Sequence, residues 1–146
     1  MAAGPIRIDD PDDPRISAYR AIRERDLIGR EGRFVAEGKV VLNVLFSARR
    51  FEAESALVLD RKLPGLTETL ALAPAEMPVY VAPQAVMDAI AGFHIHRGVL
   101  AIGRRRRDED VDALLAGLPD DALVAALCGI SNHDNVGAIF RNAAAF

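Results

Sequence analysis

Asn135 and Arg141 carry the side chains best suited to chemistry in Ala122–Phe146, ALVAALCGISNHDNVGAIFRNAAAF. Gly137, Arg141 and Ala145 are four apart, so on a helix they form one stripe. Arg141 then projects from a surface kept low by a glycine and an alanine. A bulky group can approach such a guanidinium closely. The competing reading is a solvent-facing arginine on an amphipathic helix. Other arginines cluster at Arg15–Arg33 and Arg97–Arg107, and of 18 basic residues only Lys39 and Lys62 are lysine. Arginine binds phosphate bidentately and stacks on bases. Arg30, Arg33, Arg104, Arg105, Arg106 and Arg107 are therefore candidate RNA-phosphate contacts. An arginine-rich genome produces the same bias, and Asp108, Glu109 and Asp110 balance the run as they would in a solvated linker.

Other constellations point to less. His94 and His96 would share one face of a strand, as metal ligands can, but no second pair has zinc spacing. Cys128 and His133 are ill-matched to them, so no metal site is expected. His133 and Asp134 are adjacent on a loop, where neighbours seldom point together, and read as loop polarity. A net charge of −3 argues by itself against a nucleic-acid partner, yet the charges are segregated, with acidic stretches at Asp9–Asp13 and Asp108–Asp121. One cysteine excludes an internal disulfide, and MAAGPIRIDDPDDP is no signal peptide. No apolar run approaches the roughly 20 residues that span a bilayer. A cytoplasmic protein with no membrane partner is expected. With 146 residues, 51% of them hydrophobic, the chain can bury a core.

The elements that would position these groups alternate between strand and helix. The patterning predicts a helix from Pro14 to about Asp26, with Asp13 as its N-cap, after a loose arm over residues 1–13. Strands are expected at Arg33–Glu37, Ser55–Leu59, Pro78–Val81 and Gly98–Gly103. Helices are expected at Lys39–Ala48, from about Leu66 to Leu72, at Pro83–Ala91 and at Asp110–Ala116. The class is α/β, with a small mixed or parallel sheet and flanking helices. Beyond a charged boundary, Ala122–Leu127 reads as a strand buried on both faces. Val136, Ile139, Phe140 and Ala143 then continue as a helix capped by Asn135.

Asn135-Val-Gly-Ala-Ile-Phe-Arg141, followed by Asn142-Ala-Ala-Ala-Phe146, resembles the first motif of the SpoU/TrmH family. These are RNA 2′-O-ribose methyltransferases of the SPOUT superfamily that use S-adenosylmethionine and have a knotted α/β catalytic domain. Gly32–Val41, with Glu37-Gly38 at a strand-to-helix turn, resembles the "fEG" signature of the small substrate-binding domain that precedes it in many members. His96-Arg-Gly-Val-Leu-Ala101 resembles the segment that closes that domain. A tight turn needing glycine is the plainer reading of Gly38.

The resemblance implies a ribosomal-protein-like RNA substrate-binding domain over residues 14–108 and a linker over 109–121. Residues 122–146 would start a catalytic domain cut off after its first motif. It implies an rRNA or tRNA partner, S-adenosylmethionine for the parent enzyme, and a homodimer formed through the missing half. Asn135 and Arg141 would be its catalytic residues. Arg141 would hold a target phosphate and stabilise negative charge developing on oxygen. The later cofactor motifs are absent, so this chain alone is expected to bind no S-adenosylmethionine and to be inactive. The alternative is a non-catalytic, ribosomal-protein-like RNA-binding module. An unrelated nucleotide-binding protein would need a glycine-rich loop after its first strand, and Gly38 alone is none.

Overall fold

Ala56-Leu-Val-Leu59 has no polar break, and in the computed structural model it lies in the middle of a sheet with both faces covered. Residues 4–20, 32–91, 97–105 and 110–145 are described. The chain divides into two compact units, Met1–Asp108 and Glu109–Phe146.

In the first unit the strands are β1 (Ile6–Arg7), β2 (Arg33–Glu37), β3 (Glu52–Leu59), β4 (Val79–Ala82) and β5 (Val99–Arg104). They form a five-stranded sheet in the order β1-β4-β3-β5-β2. The sheet is mixed. β3 runs parallel to β4 and antiparallel to β5, and β2 pairs antiparallel with β5. The ladder between β3 and β5 shifts register at Ala53/Ser55, where Glu54 is the extra residue.

Helices cover both faces. Alternate residues of a strand point to opposite sides. Leu57 and Leu59 join Val86, Met87 and Ile90 of a helix at Gln84–Ala91, together with Ile8, Ile16 and Tyr19. Ala56 and Val58 join Leu42, Leu45 and Phe46 of α1, the helix Lys39–Ala48. A helix at Thr67–Ala71 lies beside α1. It follows a 3-10 segment, Asp60–Leu66, that contains Pro64, so the start expected near Leu66 is preceded by a tighter turn.

Two expectations at the N-terminus are corrected. Ile6 and Arg7 are not part of a loose arm; they add a parallel edge strand to β4, and Ile8 beyond them is buried. The alternation Ile6-Arg7-Ile8 turns both isoleucines toward one face, which outweighs the acidic tract that follows. Pro14–Tyr19 is a 3-10 helix rather than an α-helix, and it ends at the extended Arg20; the rest of the expected helix, to about Asp26, lies outside the described residues. Asp13 is its cap, accepting from the Arg15 backbone N–H at 2.9 Å. The Arg15 side chain, and after it that backbone bond, hold the pKa of the Asp13 carboxyl down to about 2.

Tyr19 is fully buried, and its hydroxyl lies 2.7 Å from the Ser55 hydroxyl, also buried. Burial pushes the phenol pKa up, and the Ser55 bond opposes this only in part. Tyr19→Phe strands the Ser55 hydroxyl, and urea titration should show a loss of about 1–3 kcal/mol. Tyr19→Phe combined with Ser55→Ala should recover part of it.

In the second unit Asp110 caps a helix at Val111–Ala116, and a longer helix, α5 below, spans His133–Ala145. Ala122–Leu127 is not the expected buried strand, and Leu123 is fully exposed. Among the described residues of this unit no extended segment offers it a ladder, and an unpaired strand is not stable in water.

Candidate nucleic-acid interface and the Arg141 helix

Three of the candidate arginines, Arg33, Arg104 and Arg105, fall at one end of the β2–β5 pair. Arg33 opens β2 and Arg104 closes β5, and the two are register partners. Between them stands Glu54, placed by the register shift in β3. Its carboxylate takes Arg33 Nε at 2.8 Å on one oxygen and Arg104 Nε on the other. Two guanidiniums thus share one carboxylate, which holds both arginines to the sheet. The Arg105 backbone N–H donates to the Gly32 carbonyl at 2.7 Å. Arg30, Arg106 and Arg107 lie outside the described residues, as do His94 and His96. Glu54 escapes sequence reading because its partners sit 21 and 50 positions away.

The other sequence signatures meet at the opposite end of the same strands. Gly38 follows β2, and its N–H donates to the Val99 carbonyl at 3.1 Å. This brings Glu37-Gly38 beside Arg97-Gly98. A cavity of about 210 Å³ opens there, lined by Lys39, Lys62, Gly65, Leu66, Arg97 and Val99. A larger one, about 400 Å³, lies between the C-terminal end of α1 and the start of β3, with Arg49, Phe51, Glu52 and Leu72 in its wall.

Asn135 and Arg141 both lie on α5. Asn135 is not its N-cap. The helix starts earlier, and Asn132 accepts from the Asp134 N–H at 2.8 Å, which puts Asn135 inside the first turn. Six positions on a helix rotate by about 240°, so Asn135 and Arg141 stand on different faces. Arg141 and Gly137 share one. A Cβ at Gly137 would sit 3.3 Å from Arg141 Nη1, so the guanidinium folds back over the bare glycine. The low surface expected around Arg141 is present, and the arginine's own head rests on it.

No group of three or more metal-ligating side chains occurs among the described residues. No helix among them is long and apolar enough to cross a membrane.

The first unit's mixed α/β sheet is that of RNA methyltransferase structures. A crystal structure of an RNA 2′-O ribose methyltransferase matches with a TM-score of 0.59 and 22% identity, over 96% of this chain and 52% of the other. An rRNA methyltransferase from Sinorhizobium meliloti matches with a TM-score of 0.52 and 13% identity, over 73% and 39%. An AdoMet-bound rRNA methyltransferase from Sinorhizobium meliloti matches with a TM-score of 0.50 and 14% identity, over 70% of this chain and 38% of the other. These likenesses concern fold.

Sequence carries the relationship further. The chain is a homologue of proteins named tRNA/rRNA methyltransferase: it is 40% identical to one from Mycobacterium bovis and 39% identical to one from Mycobacterium tuberculosis, over 139 residues. That alignment covers 92% of this chain, which spans about half, 46%, of the length of these relatives. No family model matches the chain.

Proposed function

We propose that this chain is the RNA-holding portion, together with the target-side arginine, of an S-adenosylmethionine-dependent RNA 2′-O-ribose methyltransferase acting on rRNA or tRNA. The observation that carries the reading is Arg141. It stands in the Asn135–Arg141 motif, on a regular helix, with its guanidinium over Gly137, in a chain 40% identical to named tRNA/rRNA methyltransferases. The AdoMet-bound neighbour supports the choice of cofactor.

A ribose hydroxyl is a poor nucleophile until its proton leaves or is shared. The cofactor, when bound, supplies the methyl group. What this chain contributes is Arg141. A guanidinium keeps its own proton at neutral pH. It therefore serves as an electrostatic partner, holding the phosphate next to the target ribose and stabilising charge as it develops on the 2′-oxygen. Asn135, on another face of the same helix, shapes the loop before it and is available to RNA. The first unit holds the remainder of the RNA, and the full-length enzyme acts as a homodimer.

Two measurements test this. Calorimetry of the 146-residue chain with S-adenosylmethionine should show no binding at micromolar concentration. A protein of the relatives' full length that contains this chain should transfer labelled methyl groups to RNA, and ribose-methylation mapping should place them on 2′-oxygens. Methyl groups found on bases would overturn the 2′-O assignment. RNA binding without any transfer would favour the non-catalytic RNA-binding module.

A further inference from the structure

The chain's two lysines, Lys39 and Lys62, both line the cavity of about 210 Å³ beside Gly38, and Arg97 is the third cation there. They come from three segments: the first turn of α1, the 3-10 segment after β3, and the residues before β5. All three are exposed, so water and salt screen their mutual repulsion and leave the group open to an anion. Among the described residues no carboxylate forms an ion pair with any of the three, although Glu37 precedes Gly38 at the same end of the sheet. Arg7, Arg15, Arg20, Arg33 and Arg104 are all ion-paired; among the described residues Lys39, Lys62 and Arg97 are not, nor are Arg49, Arg61 and Arg141, but only the first three line one cavity together. Asp60, two residues before Lys62, is engaged by Arg7 at 3.3 Å.

Two glycines make room for the cations. Gly38 has φ +96°, and a Cβ there would lie 3.0 Å from both Cδ and Nη1 of Arg97. Gly98 has φ +65°, and its Cβ would lie 3.1 Å from Lys62 Cγ. Each holds a backbone conformation that other residues rarely adopt, and each leaves a cationic stem lying against bare main chain. Lys39 Nζ donates to the Gly65 carbonyl at 3.2 Å, which draws it toward the cavity. Gly38 starts the ten-residue α1 with no side-chain cap, so its first-turn N–H groups add to the positive field. The cavity is smaller than the roughly 300 Å³ at which pockets for whole small molecules begin. It suits one tetrahedral anion better than a nucleotide.

We propose that this cavity takes a backbone phosphate of the RNA, and that RNA lies against this end of the sheet. The Arg33–Glu54–Arg104 end is roughly 15 Å away along β2, at about 3.3 Å per residue. The inference rests on the RNA reading above.

Anisotropy titrations with unfractionated tRNA and with a ribosomal RNA fragment, over a series of salt concentrations, test it on the intact chain. Lys62→Gln with Arg97→Gln should weaken binding by about tenfold or more and reduce the salt slope by about 1–2. Arg49→Gln with Arg50→Gln removes the same two charges from the far end of α1 and should change affinity by less than about threefold. Thermal melts confirm that both variants fold. Equal losses in the two variants would overturn the site, because net charge alone would then explain binding. Unchanged affinity in the Lys62/Arg97 variant would overturn the site and leave the RNA reading standing. No binding by the wild-type chain at low salt would overturn both.

Discussion

Arg141→Ala, in a protein of the relatives' full length that contains this chain, should lower the rate of ribose methylation by about a hundredfold or more, the effect of removing one preorganised donor from a developing oxyanion. Cofactor affinity should change by less than about twofold if Arg141 has the target-side role proposed for it. The loss belongs in kcat, measured under single turnover with saturating RNA. Arg141→Lys should recover little, since a single ammonium does not reproduce the planar, two-pronged donor. Gly137→Val separates position from charge. Its Cβ would crowd Arg141 Nη1, 3.3 Å away, and move the guanidinium without removing it. A loss of about tenfold is expected there, from displacement alone. An unimpaired Arg141→Ala enzyme would remove this arginine from the reaction.

The largest effect on stability should come from Leu57→Ala. Leu57 is fully buried, and its register partners are Tyr80 on β4 and Leu100 on β5. All three belong to the cluster beneath Val86, Met87 and Ile90. Replacement removes three buried carbons from the middle strand and leaves a void that neighbours on two ladders cannot readily fill. The cost should be about 3–5 kcal/mol, a large share of the roughly 5–15 kcal/mol that holds a domain together. The melting temperature should fall by at least about 10 °C. Leu118→Ala is the control. Leu118 is 38% exposed, and its loss should cost less than about 1 kcal/mol. A Leu57→Ala cost below about 1 kcal/mol would mean that β3 is not the sheet's centre.

Much of the first unit was legible because its punctuation is local. Gly38 ends β2 and opens α1, so Arg33–Glu37 and Lys39–Ala48 were read with their observed bounds. β3 was read short at Ser55, because Glu52-Ala-Glu54 carries polar residues whose partners lie on β5. Ile6–Arg7 was misread because a two-residue strand has no period of its own and exists only through β4. Ala122–Leu127 shows the reverse case, an apolar run with strand composition and no ladder among the described residues. At the site, the Gly137–Arg141 stripe was visible as helical spacing. Asn132 and Asn135 compete for the same cap, and composition does not choose between them. The Lys39, Lys62 and Arg97 grouping was hidden because each arrives from a different segment.

The strand order also fixes when the first unit can fold. Every pairing in the sheet joins a strand to one made later: β1 waits for β4, β3 for β4 and β5, and β2 for β5. As the chain leaves the ribosome, Ile6–Arg7 and Arg33–Glu37 emerge with no partner. The middle strand gains its first neighbour only at Val79, and Arg33 meets its partner 71 residues later, at Arg104. Contacts this distant in sequence make for slow, late and cooperative folding. A nascent chain released before Val99 holds most of the core residues but can pair only β1, β4 and β3, which makes it a substrate for chaperones and proteases rather than a smaller version of the domain.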